Sequence, residues 1–492
     1  MKQNTPFITG FSTDLCGRAA RKNQDLLVEK RHAVCEGNML DIAQQFRDEI
    51  NPEILEKHSE TRRVRDDPQP LVFWSFLGQV ASEDSSCARA VSRVQAWAHQ
   101  QGLTIPSAGT SSFCEARKAL PLAMLQEING SLCAQLDANL PQAKLWRGHP
   151  VKAEDGTSAQ MPDTEKNRAA YPYAPGSKPE CGFPIIRLGG LIDLGHGGLQ
   201  DFSFSNFQTS ELRGHDALEP YLQANDILVA DRLYSSYEII ARLQMRVIHF
   251  IGRTHQARKI DFRKGRKIGT NERLQTYHKP RSQPQGSRLT KEEWAALPAT
   301  MELRIIRSKG PDREGRQRVR YVVTTLLDPV KYPAEEVASL YHHRWGIEVR
   351  FRDIKTTLGM EMLRTKSPEM IRKEVLMHMI VYNLLQLLML KSGQIHGVNH
   401  RRLSFKGTLQ VLEENRANFG NVAGRPRLRA KEVGNFWERI AERYVEERSG
   451  RNEPRRVKRR PKCTRWMQKP RHSYFEHFRS DEPPSKILDQ VA

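Results

Sequence analysis

Between about residues 145 and 253 the apolar positions come in short runs, each closed by an acid, a glycine or an asparagine. LWRGHPVKAEDG runs to an acid, FPIIRLGGLIDL and LQDFSFSNF flank GHGG, and DILVADRLYSS is an apolar run that also ends in an acid. Runs of this length bounded by turn residues predict strands, and GHGG predicts the tight turn of a hairpin. SSYEIIARLQM has helical spacing and leads into another short strand, VIHFIGR. Asp155-Gly156 is read as a turn at the end of the first strand. Two further β-rich runs, MELRIIRS and RVRYVVTTLL, predict an insertion with a small sheet of its own.

Other segments follow the helical period. LVEKRHAVCEGNMLDIAQQFRDEI, LVFWSFLGQVAS, CARAVSRVQAWA and FCEARKALPLAMLQEI predict an N-terminal helical region. Residues 333–359 open with Pro333, Glu335 and Glu336 and close at Gly359, which are start and stop signals for one helix. Leu340, Ile347, Phe351, Ile354 and Leu358 form its apolar stripe. The most apolar stretch, VLMHMIVYNLLQLLML at 375–390, contains His378, Asn383 and Gln386 and is short for a membrane span. It predicts a buried helix. No repeat at solenoid periods occurs.

Charge adds a partner. Lys and Arg number 78 against 57 Asp and Glu in 492 residues, a net of +21. The surplus is concentrated: residues 251–291 hold 12 Lys/Arg and 2 Asp/Glu, and residues 450–472 hold 10 and 1. Localised basic charge is the electrostatic footprint of a nucleic-acid binder. Neither stretch has the apolar spacing of an interfacial helix, so no membrane partner is expected. Seven cysteines without a C-x2-C pair predict neither a disulfide framework nor a zinc ribbon. With no signal peptide evident at the start, a cytoplasmic setting is expected. The phosphate loop of nucleotide-driven motors and the H-E-x-x-H zinc motif are both absent, so no nucleotide cofactor is expected.

The candidate chemistry lies in YHHRWGIEVRFRDIK at 341–355. At about 100° per residue, Tyr341, Arg344, Glu348 and Lys355 fall near 0°, 300°, 340° and 320° of an α-helix, on one face. That face carries a carboxylate beside three groups able to bind phosphate. Two more acids stand at strand ends, Asp155 in AEDGT and Asp231 in LVADR. Carboxylates so placed can converge on two Mg²⁺ ions about 3.5–4 Å apart, and oxygen ligands suit that hard cation. Each acid also has a plain alternative: Asp155 as a turn residue, Asp231 as a helix N-cap, Glu348 as a salt-bridge partner. Asp163 and Asp193 compete with Asp155, with Asp193 the more structural beside the GHGG hairpin.

These residues resemble the DDE transposases of the insertion sequence four type. The family signature Y-x2-R-x3-E-x6-K is met at every interval by Tyr341, Arg344, Glu348 and Lys355. Asp155-Gly156-Thr157 matches the D-G-T context of the first catalytic Asp, and Asp231 matches the second. TTLLDP and RWGIE add to the likeness, which covers roughly 70–415. The resemblance implies an α/β fold: a ribonuclease-H-like mixed sheet with flanking helices, interrupted by a β-rich insertion, after an N-terminal helical region. The expected divisions are 1–70 and 71–140 (helical), 141–253 (core, first part), 254–330 (basic β-rich insertion), 331–415 (core, second part) and 416–492 (basic C-terminal region). It further implies metal-dependent strand cleavage at element ends and strand transfer into target DNA, by Asp155, Asp231 and Glu348 as ligands of two Mg²⁺, with Mn²⁺ able to substitute. The implied partner is double-stranded DNA, bound by a homodimer at the nucleoid. Arg344 and Lys355 would grip phosphates, since arginine binds bidentately and lysine as a point charge. Tyr341 would bond a phosphate or stack on a displaced base. Trp294 in the insertion is the candidate for holding a flipped base, with a packing role as its alternative, and Trp345 is expected in the core. A non-catalytic DNA-binding descendant and a purely hydrolytic nuclease remain compatible with the same residues.

Overall fold

Pro70 through Val80 are all buried, so the helix they form, α1 (Gln69–Val80), is covered on every side. It packs with α2 (Cys87–Gln100), α3 (Ser111–Ala119) and α4 (Leu122–Asn139) as an N-terminal helical layer. The computed structural model describes residues 43–446 apart from 44, 47, 59–68, 101–106, 174–181, 210–211, 255–259, 285–286, 288, 312–316 and 423–424. Most of region 1–70 and the basic stretch 450–472 therefore lie outside the described residues.

One sheet of nine strands runs through the molecule in the order β3-β2-β1-β4-β5-β9-β8-β7-β6. Its first half contains β1 (Val151–Gln160), β2 (Ile185–Asp193), β3 (Leu199–Ser205), β4 (Ile227–Ala230) and β5 (His249–Arg253). β2 pairs antiparallel with both β1 and β3, while β1, β4 and β5 are parallel neighbours. α5 (Leu212–Leu218) and α6 (Tyr237–Met245) lie in the connections between β3, β4 and β5. This three-antiparallel, three-parallel arrangement is the ribonuclease-H-like core.

The second half corrects one expectation. β6 (Arg266–Gly269), β7 (Glu272–His278), β8 (Thr300–Pro311) and β9 (Gln317–Thr324) do not form a separate sheet. β9 pairs with β5 through Ile251↔Thr324, Gly252↔Val323 and Arg253↔Val322, so the insertion extends the core sheet. A continued ladder satisfies backbone groups that an edge at β5 would leave open. The short helix α7 (Lys291–Ala296) packs on it, started by a capping box of Thr290 and Glu293.

Asp155-Gly156 is likewise not a turn. β1 continues to Gln160, and Asp155 and Gly156 pair with Gly190 and Gly189 of β2. Beyond the sheet, α8 (Ala334–His342) and α9 (Gly346–Arg352) lead to α10 (Pro368–Ile395). α10 is the one described helix long and apolar enough to cross a membrane, and 94% of its apolar window is buried in the fold. It lies along α4 and is flanked by α11 (Phe405–Glu414) and α12 (Pro426–Ala441), the buried helix that its pattern predicts.

Candidate active site

The parallel register of β1 and β4 pairs Glu154 with Ala230. Asp155, within β1, and Asp231, just past the end of β4, are each one residue further along and therefore stand at the same level. Successive side chains of a strand point to opposite faces, so Glu154 turns away from Asp155. Glu154 is buried, with Oε2 2.7 Å from His215 Nδ1 on α5. Asp231 caps the short 3₁₀ turn Arg232–Tyr234, and its Oδ1 accepts from the Arg232 amide at 2.6 Å. The N-cap alternative for Asp231 is thus realised alongside whatever else it does.

The signature segment is helical without being one regular helix. α8 gives way to a 3₁₀ turn at His343–Trp345, α9 follows, and a π-helical turn occupies Asp353–Thr357. The expectation of one regular helix is corrected accordingly. Short 3₁₀ and π insertions re-aim side chains within a helix. Here they leave Tyr341 and Arg344 buried, Glu348 exposed and Lys355 half-buried.

Arg344 ties the segment to the sheet. Its Nη1 donates to Asp155 Oδ2 at 2.5 Å, and its Nη2 lies 4.0 Å from Glu348 Oε1. The buried Tyr341 side chain also acts on Arg344 electrostatically. Burial works to lower the Arg344 pKa, but Asp155, Tyr341 and Asp231 outweigh it and hold it raised. Asp155 is pushed above the usual carboxylate range by burial first, with Asp231 and Glu348 adding repulsion and Arg344 opposing it. Three carboxylates therefore sense one another across two strands and a helix.

Arg253, which the pattern along the chain did not single out, belongs to the same group. Ala230 pairs with Gly252, so Arg253 ends β5 level with Asp231, and its charge acts on Tyr341. A basic residue closing the third parallel strand is the only sequence signal for it. Gly190 is a second such position. A Cβ there would meet the Phe351 ring at 2.8 Å and the Phe202 ring at 3.0 Å, so the glycine lets α9 seat directly behind Asp155.

The two tryptophans are placed differently: Trp294 takes its packing alternative, and Trp345 lies outside the core. Trp294 is 8% exposed, packed with Tyr277, Leu297 and Met301 in the insertion, with Lys279 Nζ 5.5 Å over its ring. It is not brought to the carboxylates. Trp345, expected in the core, is 45% exposed beside Arg344. Asp163 bonds Arg168 and Tyr173.

The Transposase DDE domain family matches residues 146–384, a span that contains β1 through most of α10 and all four signature residues. Transposase InsG for insertion sequence element IS4 of Escherichia coli strain K12 is 25% identical over 374 residues, covering 73% of this chain and 79% of that protein. Residues 146–384 are a DDE transposase domain. The putative transposase InsL for IS186A of the same strain and the transposase for IS421 of Escherichia coli are each 28% identical over 193 residues, 34% of this chain and 52% of theirs. This transposase is accordingly an enzyme that binds, cleaves and transfers DNA, and its family uses divalent metal ions.

The residues of the transposase fit such an ion. Asp155, paired with a guanidinium, feels the charges of Asp231 and Glu348, and these acids form an oxygen-rich set that suits a hard cation. Among the described residues, the set of possible ligands drawn within 4.8 Å of one another is a different one: Asp137, Asp193 and His196. That cluster reads as hairpin architecture. Asp193 Oδ1 accepts from the Gly195 and His196 amides, as expected for a structural acid at the turn. His196 Nδ1 accepts from the Gly198 amide, which leaves Nε2 to donate to Asp137 at 2.9 Å.

Proposed function

We propose that Asp155, Asp231 and Glu348 are the metal-binding catalytic residues of this transposase, holding two Mg²⁺ ions, with Mn²⁺ able to replace them. The observation that carries the reading is the β1–β4 register, which sets Asp155 and Asp231 side by side while Arg344 spans Asp155 and Glu348. When bound, the pair of ions supplies an activated attacking oxygen and stabilises the leaving oxygen of an in-line displacement at phosphorus. The chain's own residues do the positioning. Arg344 and Lys355 grip phosphate oxygens beside the cut, and Arg344 exchanges its Asp155 contact for phosphate as the site fills. Tyr341 holds the Arg344 guanidinium from the buried side.

The substrate is double-stranded DNA at the ends of the element, and the second displacement joins the freed end to target DNA. An element has two ends, so the working assembly is two copies of the chain, acting on the bacterial nucleoid in the cytoplasm. Residues 141–253 and 331–415 form the catalytic core and 254–330 its insertion. The basic stretches 251–291 and 450–472 contact phosphates, in the insertion and in the region 416–492.

Asp155→Asn, Asp231→Asn and Glu348→Gln test the assignment, because each keeps size and removes a ligand charge. Each is expected to abolish Mg²⁺-dependent cleavage of element-end DNA while gel-shift binding persists. A variant that cuts at near the wild-type rate removes its residue from the set.

A further inference from the structure

Arg117 is 7% exposed, and among the described residues it has no carboxylate partner. Its guanidinium lies 4.9 Å from the Phe76 ring and 4.9 Å from the Phe113 ring. Nη1 donates to Gln79 Oε1 at 3.0 Å, Nε has no acceptor, and Nη2 faces two sulfurs, Cys87 Sγ at 3.4 Å and Cys114 Sγ at 3.6 Å. A buried cation without a counter-charge is costly, so what faces it carries information. Here a pair of thiols does.

The sulfurs are 3.9 Å apart, in contact and short of a bond. Cys87 Sγ collects three donors: Arg117 Nη2, Gln79 Nε2 at 3.5 Å and the Cys114 thiol. Cys87 is also the first residue of α2, where the helix dipole favours an anion. Both cysteines line a cavity of about 870 Å³ between the N-terminal helices and residues 359–370, so a small reagent can reach them. The third described cysteine, Cys133, is buried in the core and pushed up to about 12 by desolvation, which leaves it inert.

We propose that Cys87 and Cys114 are an oxidisable dithiol, converted by hydroperoxides into a disulfide that ties α2 to α3. The Cys87 thiolate attacks the peroxide oxygen; the O–O bond breaks, an alcohol or water leaves with the proton, and a sulfenic acid remains. The Cys114 sulfur then attacks Cys87 Sγ, the S–O bond breaks, and water leaves. Two thiols and one hydroperoxide become one disulfide, one alcohol and one water. Arg117 stabilises the attacking thiolate in the first step and loses that partner in the second. Burial holds the Cys87 thiol above its ordinary value, against the pull of Arg117, so the oxidation accelerates as pH rises. In a reducing compartment such a pair is a transient sensor and not a structural staple.

The test uses full-length reduced protein, hydrogen peroxide, alkylation of remaining thiols, and peptide mass spectrometry. The expected product is a Cys87–Cys114 peptide pair lighter by two hydrogens, restored by dithiothreitol, while Cys133 stays reduced. In Cys114→Ser the sequence should stop at a Cys87 sulfenic acid that dimedone captures. Arg117→Gln should slow disulfide formation by roughly tenfold or more, as expected for loss of one charged hydrogen bond. Alkylation of both cysteines after peroxide treatment would overturn the proposal, as would oxidation of Cys87 to the sulfinic acid with Cys114 still free. Every readout is chemical and independent of DNA cleavage.

Discussion

Arg344 Nη1 lies 2.5 Å from Asp155 Oδ2, joining residues 189 positions apart in sequence. The contact braces the signature segment against the sheet. Under the proposed assignment of Asp155 as a metal ligand, the guanidinium is also a competitor for the metal.

From that double role, Arg344→Ala should bind divalent cations more tightly and cleave DNA more slowly. Loss of a hydrogen bond to a charged group is worth about 1.5–3 kcal/mol, roughly 10–150-fold in rate. Calorimetric titration with Mn²⁺ beside a single-turnover cleavage assay would check both. Weaker metal binding together with slower cleavage would make Arg344 only a structural brace.

The raised Asp155 pKa sets a pH dependence. Burial, with repulsion from Asp231 and Glu348 behind it, favours the protonated acid. For the metal-free fold this term is therefore most favourable below the ordinary Asp value and is lost as pH rises through the raised one. Divalent cations bind the ionised form and should reverse the loss. The Mg²⁺-induced gain in melting temperature is expected to grow over that interval, and the growth should vanish in Asp155→Asn.

A second buried group, His215 beside Glu154, gives a pH dependence of the same direction. Burial works to lower the His215 pKa, but Glu154 first, and Glu219 after it, hold it raised. The stability it contributes is full below the ordinary His value and is lost as pH rises through the raised one. Removing one partner of a buried pair costs about 3–5 kcal/mol, so His215→Ala should be strongly destabilised at mildly acidic pH and less so at alkaline pH. Urea midpoints at the two pH values decide it. An equal loss at both would mean that the imidazole is neutral throughout.

Some of this site was legible in the chain and some was not, for physical reasons. An apolar run closed by an acid is a strand-end signal, and Asp231 follows β4 directly. Asp155 looked like a turn because Asp-Gly favours turns locally, yet tertiary pairing with Gly189 and Gly190 keeps it extended. The α-helical period correctly marked the inward stripe of Ile347, Phe351 and Ile354, all buried. It could not show the 3₁₀ and π turns, which depend on packing. That the insertion continues the core sheet depends on a pairing of β5 with β9 some seventy residues downstream, and no local pattern encodes it.

The last prediction rests on such a hidden contact. Gly190 is the cross-strand partner of Asp155, and a Cβ at that position would meet Phe351 Cε1 at 2.8 Å, inside any real contact distance. Phe351 stacks with Phe202, ring centroids 6.2 Å apart, and the same Cβ would meet Phe202 Cε1 at 3.0 Å, so the two rings must shift together. Gly190→Ala should therefore push α9, and Glu348 with it, away from β1. Overpacking of this kind costs about 1–3 kcal/mol in stability, and the displaced carboxylate should slow cleavage further than that loss of fold explains. Phe351→Leu removes the clashing ring atoms. Combined with Gly190→Ala it should recover part of both losses, giving a favourable coupling in a double-mutant cycle. Strictly additive effects on stability and rate would show that the glycine does not set the seat of the Glu348 helix.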